Sequence, residues 1–274
     1  MAQGSWRWGI LGAGAAANGM AAALQAVNGG IQAIASRREE TARTLAGRYG
    51  IDRVHASPEA MLQDPDLDVI YIASPHDSHH HWMKAAVEAG KHVLCEKALA
   101  SNAAEACEMI ATARRQGVVL MEAMKPTLTP GFRAIREQLP RVGTLRRYFS
   151  CYCQYSSRYD KLKEGVVLNA FQPALSNGAT MDIGVYTIYP MVVLFGRPKT
   201  VHASGVRLFS GVDGQAAVQF SYDGGLDATV LYGKIADSTL PTEIQGENGT
   251  ITVDRINIIG RVSFTPRKGE MIHL

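Results

Sequence analysis

Net charge is what the chain has least of. Its 28 basic and 25 acidic residues leave +3 over 274 positions, dispersed rather than clustered, which argues against the basic patch of a nucleic-acid or membrane-surface binder. Cysteine is sparse too. Cys95, Cys107, Cys151 and Cys153 form no C-x-x-C pair and no His/Cys ligand cluster, so neither a disulfide framework nor a zinc site is expected, and no metal. Repeats and low-complexity runs are missing. The chain opens without a basic n-region and cleavage site, and no apolar run approaches the ~20 residues that span a bilayer, so a cytoplasmic protein is expected. The 46% hydrophobic content is that of a soluble chain with a well-filled core, long enough for two modest domains.

The first half alternates strand and helix signals. Residues 6–11 (WRWGIL) read as a strand, followed by Gly12, Gly14 and Ala17 in a G-x-G-x-x-A pattern that opens an Ala-rich helix. The chemistry needs these residue types. Gly12 allows a tight turn, and Gly14 lets the backbone at Ala15 approach a phosphate. Small Ala17 lets the helix pack on the sheet, with its N-terminus facing an anionic pyrophosphate. The next strand, residues 31–35, ends in Ser36, Arg37 and Arg38. An NAD-preferring fold places an acidic residue there for the ribose 2′-hydroxyl. A small hydroxyl followed by arginine suits a 2′-phosphate instead, so NADP(H) is expected in preference to NAD(H), with Ser36 and Arg37 as readers.

Residues 68–73 (DVIYIA) read as a strand buried on both faces, running into Ser74, Pro75 and the histidines at 76, 79, 80 and 81. Consecutive helical positions point about 100° apart, so three adjacent histidines cannot converge on one ion. Residues 89–99 (AGKHVLCEKAL) read as a helix end at Gly90 and a short apolar strand that delivers Glu96 and Lys97 to its carboxyl end. In an open α/β sheet that end is where ligands bind. An exposed Glu–Lys surface pair is the competing reading. A sixth strand, residues 118–121, leads to Lys125, where the domain boundary is placed. The expected division is a cofactor-binding domain at 1–124 and a substrate-binding and oligomerisation domain at 125–274.

From Thr144 the period changes to two, which puts Cys151 and Cys153 on one strand face. Further strands are legible at 200–208, 215–222, 226–234, 242–245 and 249–253, separated by Asp-Gly, Gly-Gly and Asn-Gly turns. Such a sheet with one uncovered face implies a homodimer or higher homo-oligomer. Before those strands, residues 177–186 (NGATMDIGVY) place Asp182 and Tyr186 four apart, on one face of a helix. A buried hydrogen-bonded pair is the alternative.

Together, G-x-G-x-x-A, S-P-x-x-x-H at residues 74–79 and A-G-K-H-V-L-C-E-K at residues 89–97 resemble the glucose-fructose oxidoreductase and inositol dehydrogenase (Gfo/Idh/MocA) family. The resemblance implies an α/β chain: an N-terminal Rossmann domain with a parallel sheet, then a C-terminal α+β domain with an open, mostly antiparallel sheet. It implies cofactor contacts from Ser74, Pro75, His79 and Glu96, and a Lys97 that touches both nicotinamide and substrate. The family's acid/base histidine is matched by Tyr186, as in the dihydrodiol dehydrogenase branch. Two further departures are Asn177 for a glycine and Ala98 for the usual proline, and a Lys–Ala bond costs roughly 3 kcal/mol in cis where Lys–Pro costs little. The family also generally continues beyond Leu274 through another helix.

The implied reaction is hydride transfer between nicotinamide C4 and a sugar, polyol or cyclic diol, or its keto form. Lys97 polarises the reacting oxygen, Asp182 positions the substrate and Tyr186 exchanges the proton. A phenol has an unperturbed pKa of ~10, which a neighbouring ammonium lowers. Lys125, Arg158, Tyr159 and Asn169 are expected on the substrate side. The competing class is a cofactor-sensing module that has lost turnover.

Overall fold

The computed structural model describes residues 6–274, which form two compact units, the first ending at Ala123 and the second spanning Met124–Leu274. The first unit alternates strand and helix throughout. Its strands are β1 (Arg7–Leu11), β2 (Gly30–Ala35), β3 (Arg53–Val54), β4 (Val69–Ile72), β5 (His92–Cys95) and β6 (Leu120–Glu122), and its helices are α1 (Ala15–Ala26), α2 (Glu39–Tyr49), α3 (Pro58–Leu62), α4 (His79–Glu88) and α5 (Ala103–Gln116). The sheet order is β3-β2-β1-β4-β5-β6, with every pairing parallel. This is the doubly wound order, which reverses between β1 and β4 and opens a crevice at their carboxyl ends.

Both sheet faces are buried, as a parallel sheet requires. On one face Ile10 and Ile34 meet Ala17 and Ala21 of α1; on the other Ile70 and Ile72 meet Met83 and Val87 of α4. All of these side chains are fully buried, and each large one contributes about 1.5–3 kcal/mol. Asn102 caps α5 by accepting from the Glu105 N–H at 3.0 Å, while the Glu105 carboxylate accepts from the Ser101 N–H at 3.0 Å. This is close to a reciprocal capping box, with the carboxylate bonding the N–H one residue before the cap. At the amino-terminal edge, Arg7 donates to Asp68 through its backbone N–H and two guanidinium nitrogens. Buried Lys91 donates to the carbonyls of Asp64 and Leu67 at 2.7 and 2.8 Å. Hydrogen bonding and ion-pairing with Arg7 hold the Asp68 carboxyl at about 2.

The second unit contains helix α6 (Pro130–Gln138), strand β7 (Leu145–Cys153), helices α7 (Tyr159–Lys163) and α8 (Val185–Phe195), and strands β8 (Thr200–Arg207), β9 (Asp213–Ser221), β10 (Asp227–Gly233), β11 (Thr242–Gly246), β12 (Gly249–Val253), β13 (Val262–Pro266) and β14 (Ile272–His273). Their order is β14-β13-β12-β11-β7-β10-β9-β8. The central pair β7 and β10 is parallel and the other pairings are antiparallel. One face carries Tyr148, Val218, Phe220, Ala228 and Val230 into a core shared with Met191 of α8. Fully buried Tyr148 donates its hydroxyl to the Thr187 carbonyl at 3.1 Å. The other face carries Cys151 and Cys153, whose sulfurs lie 3.9 Å apart as the strand spacing foresaw. Burial pushes the Cys153 thiol up to about 12. The edge strand β8 is exposed along its whole length.

Two sequence expectations change here. Pro173–Phe195 is long and apolar enough to cross a membrane by length and composition, with a mean hydropathy of 1.3, where no such run was expected. It is instead broken into a short 3-10 turn, a π turn and α8, and Ile183, Thr187 and Met191 are buried. Asp182 and Tyr186 also do not share a plain α-helix. Thr180–Gly184 is a π turn and α8 begins at Val185. Gly184 lies so close to the Tyr232 ring that an added Cβ would meet it at 3.0 Å. Pro190, inside α8, has no N–H to give the Tyr186 carbonyl. π turns recur at functional sites because they re-aim side chains.

Candidate active site

The phosphate loop follows β1. Gly12 has φ +113°, and a Cβ there would meet the Ala73 carbonyl oxygen at 2.5 Å, so only glycine fits. Gly14 differs: a Cβ there would meet nothing within 4 Å. The protein's own packing does not require glycine at 14, and the space beside its backbone is open. Gly14 is the N-cap of α1, which has no side-chain cap and no acidic residue in its first turn. The N-terminal N–H groups, Ala15's included, therefore suit an anion. Beside it is a cavity of about 440 Å³ lined by Ala13, Gly14, Ala15, Asn18, Thr41, Thr44, Leu45 and Arg48. Ala17 is wholly buried beneath the helix. These features fit a dinucleotide's pyrophosphate.

Ser36 and Arg37 follow the carboxyl end of β2, with Arg37 exposed. The Ser36 hydroxyl lies 3.4 Å from that of Thr41, which donates to the Arg38 carbonyl at 2.7 Å. The first acidic residue, Glu39, pairs with Arg43 on α2. The local charge on offer to a ligand is thus hydroxyl and guanidinium, which suits a phosphate.

Ser74 and Pro75 leave β4 in extended backbone, Pro75 at φ −60° and ψ 150°. Ser78 donates to the Ser74 hydroxyl at 2.8 Å. The three consecutive histidines diverge. His80 meets Glu108 at 3.1 Å, His81 stacks edge-on against Trp82, and His79 is fully buried. Both His79 ring nitrogens face backbone carbonyls: Nδ1 that of Ala98 at 2.9 Å and Nε2 that of Ser74 at 3.0 Å. The ring expected at the cofactor thus faces backbone on both sides. Burial lowers its pKa against those carbonyls, Glu96 and Asp77.

At the end of β5, Glu96 accepts a hydrogen bond from the Tyr71 hydroxyl of β4, and its N–H donates to the Ile72 carbonyl at 2.9 Å. Lys97 follows, and the Lys97–Ala98 bond is cis. Glu122, which ends β6, accepts the Leu99 N–H at 2.9 Å. Its carboxyl is raised by burial and by Glu96, against the opposing pull of the Leu99 N–H and Lys97. Sequence reasoning passed over Glu122, although it stands at a strand's carboxyl end.

In the second unit Asp182 has a partner that pattern reading missed altogether. Lys234, just past β10, is 2% exposed. It donates to Asp182 at 2.7 Å and to the Ala170 carbonyl at 3.1 Å, with its ammonium 5.0 Å from the Phe171 ring centre. Tyr186 packs edge-on against Tyr152 of β7, centroids 5.6 Å apart. Tyr159 lies between Tyr155 and Phe171. Arg158 and Asn169 are exposed nearby in the chain, and Asn177, the departure from glycine, donates to the Asn169 carbonyl at 2.9 Å. Lys125 is exposed on the 3-10 turn Lys125–Leu128.

Comparison with known proteins identifies the family and the fold. A family model described as oxidoreductase family, NAD-binding Rossmann fold, matches residues 6–124, and the GFO/IDH/MocA C-terminal domain matches residues 138–252. The chain is 48% identical to the scyllo-inositol 2-dehydrogenase (NADP(+)) IolU of Bacillus subtilis, over 88% of this chain and 73% of that protein. It is 34% identical to the trans-1,2-dihydrobenzene-1,2-diol dehydrogenase of Xenopus tropicalis, over 90% and 74%. Among solved structures, the 3-ketoreductase KijD10 of Actinomadura kijaniata, in complex with NADP and TDP-benzene, superposes with a TM-score of 0.85 at 26% identity, covering 99% of this chain and 85% of that one. Levoglucosan dehydrogenase in complex with NADH and levoglucosan shares the fold, with a TM-score of 0.89 at 22% identity over 99% and 80%. The chain belongs to the Gfo/Idh/MocA family of NAD(P)-dependent oxidoreductases.

Proposed function

We propose that this protein is an NADP(H)-dependent dehydrogenase that interconverts a secondary alcohol of an inositol, or of a related sugar or cyclic diol, with its ketone. The observation that carries this is the placement, past the carboxyl ends of β1 and β5 in one parallel sheet, of an open turn at Gly14 and a lysine at 97. The 48% identity to an NADP-dependent scyllo-inositol dehydrogenase supports the cyclic polyol class.

When bound, the nicotinamide supplies the hydride acceptor or donor. The chain's own residues do the rest. Gly14, Ala15 and the N-terminus of α1 bind the pyrophosphate, and Ser36 with Arg37 binds the 2′-phosphate. Lys97 polarises the substrate oxygen. Tyr186 takes the hydroxyl proton during oxidation and returns it during reduction. Asp182, held by Lys234, orients a neighbouring hydroxyl. Lys125, Arg158, Tyr159 and Asn169 contribute substrate selection. A second copy of the chain packing on the exposed sheet face of the second unit is part of this reading, and light scattering at micromolar concentration would show a monomer if it is wrong.

The test is turnover of NADP(+) and NAD(+) with a panel of inositols, hexoses and cyclic diols, on the wild type and on Tyr186→Phe. Expected is oxidation of at least one cyclic polyol with NADP(+) preferred, and a fall of roughly 100-fold or more in kcat for Tyr186→Phe, the scale of a lost acid/base group, at unchanged cofactor affinity. Binding of NADPH without oxidation or reduction of any compound would favour a sensing module instead.

A further inference from the structure

One peptide group in the first unit is held at both ends by side chains. The carbonyl of Ala98 faces Nδ1 of His79 at 2.9 Å, and the N–H of the same amide, on Leu99, donates to Oε1 of Glu122 at 2.9 Å. His79 begins α4 and Glu122 ends β6, so two separate elements converge on the amide that follows Lys97. On the other side of the lysine, Glu96 is fixed to Tyr71 of β4 through its carboxylate and to the Ile72 carbonyl through its N–H. Positions 96, 98 and 99 are each tied to a different neighbour, and Lys97 stands between them.

Economy of packing does not explain this arrangement. A buried imidazole and a half-buried carboxylate are costly groups to commit to one backbone amide, because each must be taken out of water. Turn side chains such as Asn or Ser would satisfy the same amide locally. The His79 ring also lies against the Ser74 carbonyl at 3.0 Å, so one side chain borders both the exit of β4, which holds Ser74 and Pro75, and the exit of β5, which holds Lys97; a neutral imidazole has one N–H and donates to one of the two carbonyls. One ring thus spans two strand ends lining one crevice, which a local turn residue would not do.

We propose that His79 and Glu122 are positioning residues that hold the 98–99 amide, and through it the backbone of Lys97, in the geometry that catalysis requires. The inference rests on the proposed role of Lys97. Neither residue touches substrate; both act through the backbone. Displacing a catalytic group by about an ångström costs up to roughly 100-fold in rate, so the clamp should register in kcat rather than in affinity.

The experiment separates the two arms. In His79→Asn an amide NH₂ falls near the Nδ1 position and keeps the Ala98 bond. In His79→Gln it reaches towards the Nε2 position, keeps the Ser74 bond and loses the Ala98 bond. Glu122→Gln retains an acceptor for the Leu99 N–H, and Glu122→Leu does not. Each variant is assayed for kcat, substrate KM, NADPH affinity by fluorescence and melting temperature. Expected are losses in kcat of roughly 10- to 100-fold for His79→Gln and Glu122→Leu, with NADPH affinity near wild type, and recovery of most of kcat in His79→Asn and Glu122→Gln at comparable melting temperature. Equal kcat for the two His79 variants, or losses that follow melting temperature alone, would overturn the clamp. Lys97→Ala distinguishes this failure from that of the functional reading. If Lys97→Ala abolishes turnover while the clamp variants retain it, only the clamp falls; if Lys97→Ala retains turnover, the assigned role of the lysine falls with it.

Discussion

Replacing Lys234 by methionine tests whether the second unit is built around Asp182. The substitution keeps an unbranched side chain of similar length but removes the ammonium, and with it the 2.7 Å bond to Asp182 and the 3.1 Å bond to the Ala170 carbonyl. Breaking a buried ion pair by deleting one partner costs about 3–5 kcal/mol when the remaining charge is fully enclosed. Here the Lys234 side chain is 3% exposed but that of Asp182 is 34% exposed, so water recovers part of the remaining carboxylate's solvation, and about 2 kcal/mol is the expected loss. For a unit of this size that is a fall in melting temperature of roughly 4–8 °C. The probe must be chosen with care, because Trp6, Trp8 and Trp82 all lie before residue 124. Tryptophan fluorescence therefore reports on the first unit, whereas near-ultraviolet dichroism of the tyrosines clustered from 148 to 232 reports on the second. Adding Asp182→Asn to Lys234→Met removes the remaining charge and should restore about 1 kcal/mol, a coupling of the size seen for contacting residues. On the functional side, substrate KM should rise while NADPH affinity stays put. A Lys234→Met protein that melts within about 1 °C of wild type, a change worth less than about half a kcal/mol, would refute the reasoning.

Three other outcomes follow from the first unit. Gly12→Ala places a Cβ 2.5 Å from the Ala73 carbonyl at φ +113°, and should cost about 1–3 kcal/mol in stability; Gly14→Ala meets no neighbour and should leave the melting temperature unchanged while weakening NADPH binding in a fluorescence titration. Arg37→Ala combined with Ser36→Asp should lower kcat/KM for NADPH by about tenfold or more, the value of a charge-assisted hydrogen bond, with NADH unaffected or improved. The Asp68 carboxyl lies at about 2 in the folded chain against an ordinary 3.8. A depressed folded value adds stability above the unfolded pKa and loses it as pH falls from about 4 to about 2, so acid unfolding followed by tryptophan fluorescence should separate wild type from Arg7→Leu at about pH 6 and bring the two curves together near pH 2.

The readable parts of this chain are those whose meaning is local. Gly12, Gly14 and Ala17 stand within one short turn and helix start and state both. The alternation that places Cys151 and Cys153 on one face needs only the residue between them, and the sulfurs do lie together. Asp182 and Tyr186 were also read locally, as neighbours on a helix, and there the local rule gave the wrong ladder. The approach of Gly184 to the Tyr232 ring is a tertiary demand, and it comes with a π turn that the spacing alone could not announce.

What stayed hidden is partnership across the chain. Lys234 closes on Asp182 from 52 positions away, Glu122 on Leu99 from 23, and His79 on Ala98 from 19. In each case a residue in or beside a motif that the sequence displays is held by one distant in the chain. Lys234 follows a strand end and Glu122 precedes a loop, whereas His79 is displayed by its motif and only the carbonyls it faces are not. The asymmetry has a physical basis. A group that meets ligand must be presented in an exposed turn, and exposed turns carry strong local signatures. The groups that fix it are buried, and a buried polar side chain is defined by a partner that folding alone supplies. Lys234, behind Asp182, and His79 and Glu122, on the amide after Lys97, are thus where substitution tests the proposed mechanism most directly, since changing them leaves the groups assigned to substrate in place.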